Sequence, residues 1–407
     1  MFPKFAALFP KEFFNIYSGV IFTPLFLQIT PITDRFTFFF KYARMKHIVP
    51  GGEAMGKENT AYFWKKKELT SYLLSIFIFL IHISSFEQHT YSGTAISHIN
   101  GTVSYFFGNA LTRFAVPMFF LLSGVAFFRD YTNRSYGRKL KSRLFTLVIP
   151  YLIWNTVWMV FNTICSYSFL SDYFIGREKF VLTPVNVLKG IFLYECNGPF
   201  WSIFNLIAFT LLAPVFDFLA AEKKRAFLSV GILCLLPVFV EDLPFLFHTN
   251  SVTYYLIGAI IGKHYLSRFT GKAGRKTQIL SLLFLCLYFV LKTIFRPAVY
   301  AAERHPVAIP FFTFCAFCLW NSMDLFVDQI KERPLYSRSF AVYAMHENVS
   351  AVLTKLFALA VRKAEIHAIP NFIFTVLSTL FFINLFCHLT ARHCPKLYGL
   401  LLGRRGR

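Results

Sequence analysis

Beyond residue 64 the chain alternates long apolar runs with short polar segments, and about twenty mostly apolar residues suffice to carry a helix across a bilayer. Ten stretches fit, roughly 69–87, 112–128, 144–167, 199–220, 226–242, 251–266, 277–294, 305–327, 338–362 and 370–391. The fifth and sixth are short, and Glu241, Asp242 and Pro244 crowd the end of the fifth. The pattern predicts an all-α integral membrane bundle of about ten transmembrane helices over residues 65–391, followed by a basic tail, 392–407.

Lys and Arg placement orients the bundle, because cytoplasmic loops carry the basic excess. The segments 129–143, 221–225, 263–276, 328–338 and 391–407 hold 6, 3, 5, 3 and 5 Lys or Arg, 22 in all. The intervening segments 87–111, 168–198, 241–250, 295–304 and 362–369 hold 0, 3, 0, 2 and 2, a total of 7. With Lys65, Lys66 and Lys67 ahead of the first span, both termini are expected in the cytoplasm.

The first 64 residues stand apart. Phe13 to Ile29 is apolar but interrupted by Gly19 and Pro24, which suits an interfacial segment, and Gly51 to Thr60 reads as a flexible linker. A basic start, an apolar stretch and a small-residue cleavage site do not occur in the order of a signal peptide. A start at Met55 would suffice for the membrane unit.

Composition supports the membrane reading: 56% of the 407 residues are hydrophobic, 15% are charged, and the mean hydropathy is +0.52. A net charge of +22 could signal nucleic acid, but these cations follow the loop alternation, so no nucleic-acid partner is expected. The eight cysteines lie mostly in apolar runs, where a free thiol packs as a small hydrophobe. Cys315 and Cys318 form a C-x-x-C without a second pair or nearby histidines, so packing is the better reading and no metal is expected. There is no internal repeat, and no sustained small-x-x-x-small stripe announces an oligomer.

Ionisable groups inside spans are costly and mark function by default. His82 lies near the outer end of the first span, in "IFLIHISS", and Arg113 heads the second, so antiparallel neighbours bring imidazole and guanidinium to similar depth. The fourth span starts from the same side with Glu195, Asn197 and Trp201. His346 and Glu347 enter the ninth span about 12 Å deep at helical rise. A neutral imidazole accepts a hydroxyl proton near neutral pH, and an adjacent Arg supplies donors to a developing oxyanion. The same residues would serve a proton-coupled transporter. His388 reads as an interfacial anchor, and His89, His98, His248 and His305 lack metal-ligand spacing.

Several stretches together resemble the acyltransferase family 3 proteins, multi-pass bacterial membrane enzymes that move an acyl group, commonly acetyl, onto sugars of surface glycans. The segment "RFAVPMFFLLSGVAFF" (Arg113 to Phe128) is similar to that family's R-x-x-V-P-x-F-F-x-x-S-G signature. "KSRLFTLVIPYLIW" (Lys141 to Trp154), "GPFWSIFNLIAFTLLAPVF" (Gly198 to Phe216) and "RSFAVYAMHENV" (Arg338 to Val349) resemble further family elements in the same order. The resemblance implies that His82 is the catalytic base and Arg113 its oxyanion partner. It makes Ser123 and Gly124 a close-packing turn, places Lys141 and Arg143 at a cytoplasmic mouth for coenzyme A phosphate, and sets Trp201 on the acceptor side. Two positions depart from the pattern: Ser71 replaces an arginine eleven residues before the histidine, and Thr146 replaces a basic residue four before Pro150.

The expectation is therefore a bacterial inner-membrane O-acyltransferase using acetyl-CoA or another acyl-CoA as donor substrate, with no bound cofactor. Its acceptor would be a surface polysaccharide or lipid-linked glycan, and its other partners the membrane lipids. The alternatives are a transporter or flippase, in which His82, Arg113 and Glu195 hold cargo, and an inactive scaffold, for which Ser71 speaks.

Overall fold

The computed structural model describes residues 57–83, 93–168, 179–239, 249–295, 307–331, 333–361 and 364–403. All belong to the unit Met55–Arg407. The readings of residues 1–54, of Glu241, Asp242 and Pro244, and of His89, His248 and His305 lie outside the described residues.

Among the described residues the only regular structure is helix. In chain order the α-helices of seven or more residues are α1 (Lys57–Ile81), α2 (Ala95–Tyr105), α3 (Ala115–Phe128), α4 (Tyr136–Arg143), α5 (Ile149–Tyr167), α6 (Pro184–Phe192) and α7 (Trp201–Leu211). There follow α8 (Ala213–Ala221), α9 (Lys223–Phe239), α10 (Thr249–His264), α11 (Arg275–Ile294), α12 (Ala308–Met323), α13 (Ser339–Ala360), α14 (Ala368–His393) and α15 (Pro395–Leu401). Among the described residues each of the ten apolar stretches contains helix, the fourth as the α7–α8 pair. Four helical stretches are long and apolar enough to cross a membrane alone, Ala95–Phe128, Asn133–Tyr167, Arg275–Ile294 and Glu365–His393, and the α7–α8 pair makes a fifth if taken as one span. The remaining helices are shorter or carry charge, as α1 does with its four lysines and α13 with Glu347 and Lys355.

Two expected loops contain helix instead. The segment 87–111 holds α2, started by the Thr94 hydroxyl accepting the Ser97 N–H at 3.1 Å, and a π turn, Phe106–Ala110. The segment 168–198 holds α6, capped in the same way by Thr183 on Asn186 at 3.2 Å. Both helices intersperse polar residues with apolar ones, so neither makes an apolar block in the sequence. A second π turn, Leu144–Val148, joins α4 to α5.

α7 and α8 meet at an angle of 69°. Pro214 in the first turn of α8 cannot continue the ladder of α7 because it has no N–H to give, and the Leu211 carbonyl at the bend accepts the Tyr136 hydroxyl at 2.9 Å.

α1 packs against α3 and α13. α3 in turn lies against α10 so closely that a Cβ on Gly258 would stand 2.2 Å from the Leu121 carbonyl oxygen, and one on Gly124 2.4 Å from that of Tyr255. Gly262, one turn on, faces the Val125 carbonyl in the same manner, so "GAIIG" is a small-x-x-x-small contact that lets two backbones meet. The close-packing role of Gly124 therefore has a partner surface on α10 that the sequence reading passed over.

Near its middle, at Lys66, α1 is tied down by charge. Lys66 Nζ lies 2.5 Å from Asp324 Oδ1, both side chains being buried, and 4.2 Å from the centre of the Trp320 ring. The same carboxylate accepts the Tyr62 hydroxyl at 2.6 Å and the Ala273 N–H at 2.8 Å.

Candidate active site

The chain leaves α1 at His82, whose backbone N–H still donates to the Phe79 carbonyl at 3.0 Å. Its half-buried imidazole meets a second one: the rings of His82 and His346 are 5.4 Å apart between centroids and tilted by 45°. His346 is wholly buried in α13, with the Phe79 ring at 5.8 Å and the Tyr343 ring at 6.0 Å. Its Nδ1 faces the carbonyl oxygens of Val342 at 3.1 Å and Tyr343 at 2.9 Å. Carbonyls only accept, so Nδ1 carries the hydrogen, and in the neutral ring Nε2 keeps the lone pair. That buried Nε2 has no hydrogen-bond partner among the described residues.

One helical turn before His346, Tyr343 fixes the neighbouring loop. Its hydroxyl donates to the Pro199 carbonyl and lies 2.6 Å from Ser202 Oγ, which must then be the donor of that second bond. The ring is held between Phe119 and Phe200, each stacked on it at 5.9 Å. Between Tyr194 and Phe200 the chain turns sharply: Tyr194 adopts φ +53°, Asn197 N–H donates to the Tyr194 carbonyl at 2.9 Å, and Phe200 N–H to that of Asn197 at 3.0 Å. Burial raises the Tyr194 phenol above its usual range, so it remains a neutral hydroxyl at physiological pH.

The remaining expected residues divide into those the fold gathers here and those it leaves outside. The Glu347 carboxylate touches Gly198, where an added Cβ would stand 3.5 Å from Oε1. Asn197 is buried, and its Nδ2 has no partner among the described residues. Trp201 packs on Phe120 with ring centres 5.8 Å apart. Ser123 turns its hydroxyl back onto the Phe119 carbonyl of its own helix at 2.8 Å. Glu195 is exposed. Arg113 is also exposed, in the turn between the first π turn and α3; its neighbour Phe114 meets Phe77 of α1 edge-on at 6.2 Å, five residues before His82.

About Trp64 and Lys67, nearer the start of α1, cations converge. Lys67 Nζ and Arg129 Cζ share the Trp64 ring at 5.5 and 4.7 Å, while Lys139 Nζ and Arg143 Cζ share the Phe127 ring at 5.2 and 5.5 Å. Arg143 also acts electrostatically on Lys67. Lys139 pairs with Asp130 at 2.5 Å, and Lys141 is exposed. Lys67 precedes Ser71 by four residues, which puts the two on one face of α1. Sequence reasoning passed over Lys67 and Arg129 because both look like ordinary flanking charges of a span. Thr146 lies in the second π turn, where Gly403 (φ +61°) approaches so closely that a Cβ would stand 2.3 Å from the Thr146 carbonyl oxygen. Among the described residues no group of three His, Cys, Asp or Glu side chains could hold a metal ion.

A family profile described as "Acyltransferase domain", that of acyltransferase family 3, matches residues 72–388. No curated protein and no solved structure matches the chain.

Proposed function

The chain belongs to this family of membrane acyltransferases, and from that premise we propose that it moves an acyl group, acetyl in the first instance, from acyl-coenzyme A to a sugar hydroxyl of a surface polysaccharide or lipid-linked glycan. In this reading ten spans cross the bacterial inner membrane with both termini in the cytoplasm, and the basic stretch of α1 about Lys67 faces the donor.

The observation that carries the reading is the polarity of α1 itself. Cations gather about Lys67, near the middle of α1, and a proton acceptor, His82, stands just past its last residue, 15 residues or about 22 Å on at helical rise. Lys67, Arg129, Arg143 and Lys141 would hold the phosphates of coenzyme A as charge-assisted partners, and the pantetheine arm would bring the thioester to His82. Asn197, Trp201, Glu195 and Glu347 would hold the acceptor sugar.

The chemistry then balances as follows. The acceptor hydroxyl gives its proton to the His82 lone pair while its oxygen bonds to the thioester carbonyl carbon. The carbonyl oxygen becomes an oxyanion, for which Arg113 is the proposed partner. Collapse breaks the carbon–sulfur bond, and the leaving thiolate takes the proton back from the imidazolium, giving free coenzyme A and an ester.

The test is transfer of radiolabelled acetyl from acetyl-CoA to a glycan acceptor by purified protein in lipid vesicles. Transfer that disappears in His82→Ala is expected, and transfer equal to wild type in that variant would overturn the mechanism. A broken helix such as α7–α8 is also a feature of carriers, so uptake of cargo without acetyl-CoA consumption would select the transporter. An intact, folded protein with neither activity would select the scaffold.

A further inference from the structure

The second histidine has no part in the reaction as written above, yet it is the more completely specified of the two. His346 is wholly buried, its Nδ1 hydrogen is committed to two backbone carbonyls, and the lone pair of Nε2 is left without a donor among the described residues. A buried acceptor of this kind is worth a hydrogen bond of the usual strength to whatever donor reaches it. The ring that stands beside it is His82, at 5.4 Å between centroids. The two rings do not hydrogen-bond in the structure, but a nitrogen-to-nitrogen bond of about 2.9 Å plus the ring radius on either side spans roughly that separation, so turning the half-buried His82 ring would make it.

We propose that His346 Nε2 accepts the ring N–H of His82 and thereby sets the His82 tautomer, so that the other His82 nitrogen presents its lone pair to the acceptor hydroxyl. The chain of donors runs one way: His82 N–H to His346 Nε2, and His346 Nδ1–H to the carbonyls of Val342 and Tyr343. As His82 takes the hydroxyl proton, the developing imidazolium keeps its first hydrogen pointed at a neutral acceptor, and no second proton need leave the site. A base oriented by a third group is a general arrangement in nucleophile activation. Here the third group is an imidazole held by its own helix backbone, and His346 is a positioning residue. This inference rests on the acyl-transfer reading of His82.

The test uses full-length protein labelled with ¹⁵N-histidine in lipid bilayers. Ring nitrogen shifts report tautomers directly, and loss of signals in His82→Asn and His346→Gln assigns them. In wild type, His346 is expected to carry hydrogen at Nδ1 only, and His82 to show a single neutral tautomer. In His346→Leu, which can accept no hydrogen bond, His82 is expected to become a mixture of tautomers. The kcat of transfer should then fall by about ten- to a hundredfold, with KM for both substrates within about twofold of wild type. His346→Gln, whose amide oxygen can accept near the Nε2 position, is expected to restore the single tautomer and most of kcat.

Hydrogen on His346 Nε2 in wild type would overturn the proposal without any variant, which covers the case of a leucine variant that fails to fold. So would a single unchanged His82 tautomer in His346→Leu, or a glutamine variant as impaired as the leucine one, since packing alone would then explain the residue. Expected tautomers in a protein that transfers no acyl group would leave the histidine pair standing and count against the acyl-transfer reading alone.

Discussion

The imidazoles of His82 and His346 stand 5.4 Å apart although 264 positions separate them in the chain. The contact exists because α1 and α13 pack together, and because the last turn of α1 ends where α13 has a fully buried histidine. Two consecutive elements of the acyltransferase reading, the base and what orients it, thus come from helices near opposite ends of the domain.

Replacing His82 by glutamine keeps the size and polarity of the side chain and removes the basic nitrogen. Acyl transfer is expected to fall by about a hundredfold to ten-thousandfold, the usual contribution of a positioned base. KM for acyl-CoA should change little, because the proposed donor cations about Lys67 lie about 22 Å away along α1. Steady-state transfer in vesicles with acetyl-CoA varied at fixed acceptor measures both constants, and a rise in KM at unchanged kcat would assign His82 to binding.

The α3–α10 contact leaves no room for a methyl group. A Cβ on Gly258 would stand 2.2 Å from the Leu121 carbonyl oxygen, and that atom is backbone, unable to swing away as a side chain tip would. Gly258→Ala is expected to cost about 1–3 kcal/mol, the usual range for overpacking, and Gly231→Ala nothing comparable, since nothing lies within 4 Å of the atom it would add. The midpoints of thermal unfolding of the two variants in one detergent give the comparison; equal midpoints would mean the helices can separate without loss.

Lys66 and Asp324 form a buried pair, and removing one partner leaves the other charge unmatched. Lys66→Met is expected to destabilise by about 3–5 kcal/mol, since the Asp324 carboxylate then retains only the Tyr62 hydroxyl and the Ala273 N–H among its observed donors. The double variant Lys66→Met, Asp324→Leu buries no charge and should recover much of the loss. A double-mutant cycle on unfolding free energy reads the coupling, and strictly additive losses would show that the pair contributes nothing as a pair.

The parts of this fold that are legible in the sequence are those fixed locally. A run such as Leu73 to Leu80 declares a buried or lipid-facing helix whatever it packs against, and among the described residues each of the ten runs contains helix. α2 and α6 are less visible because each mixes polar residues such as Ser97, Asn100 and Asn186 among its apolar ones, and both begin at a threonine cap that also suits a loop. Gly258 and Gly262 carry the small-residue spacing, but only the position of Gly124 opposite them shows that it is used. His82 and Arg113 could be ranked as candidates from the cost of polar groups in a span. The nearness of His346 to His82, and of Asp324 to Lys66, depends on which helices are neighbours, which hydrophobicity does not encode. Lys66 in particular looks like one more interfacial lysine until its partner is seen.

The departure at Ser71 has a physical consequence that kinetics can expose. Lys67 stands one turn earlier on the same face of α1, over Trp64 together with Arg129 and within the electrostatic reach of Arg143. If these cations hold coenzyme A phosphates, Lys67→Ala removes one charge-assisted contact, and a contact of this type is worth about 1.5–3 kcal/mol, or roughly tenfold or more in KM. The kcat should be nearly unchanged, because His82 and its surroundings lie about 22 Å away along the helix. Acetyl-dephospho-CoA, which lacks the 3′-phosphate, separates a phosphate contact from a general loss of positive charge: wild type should prefer the complete donor, and the preference should shrink in Lys67→Ala if that phosphate is the one held. Ser71→Arg adds a longer cation on the same face and is expected to lower KM in the Lys67→Ala background. A KM that ignores both substitutions would move the donor away from α1 and leave Lys67 as a membrane-surface charge.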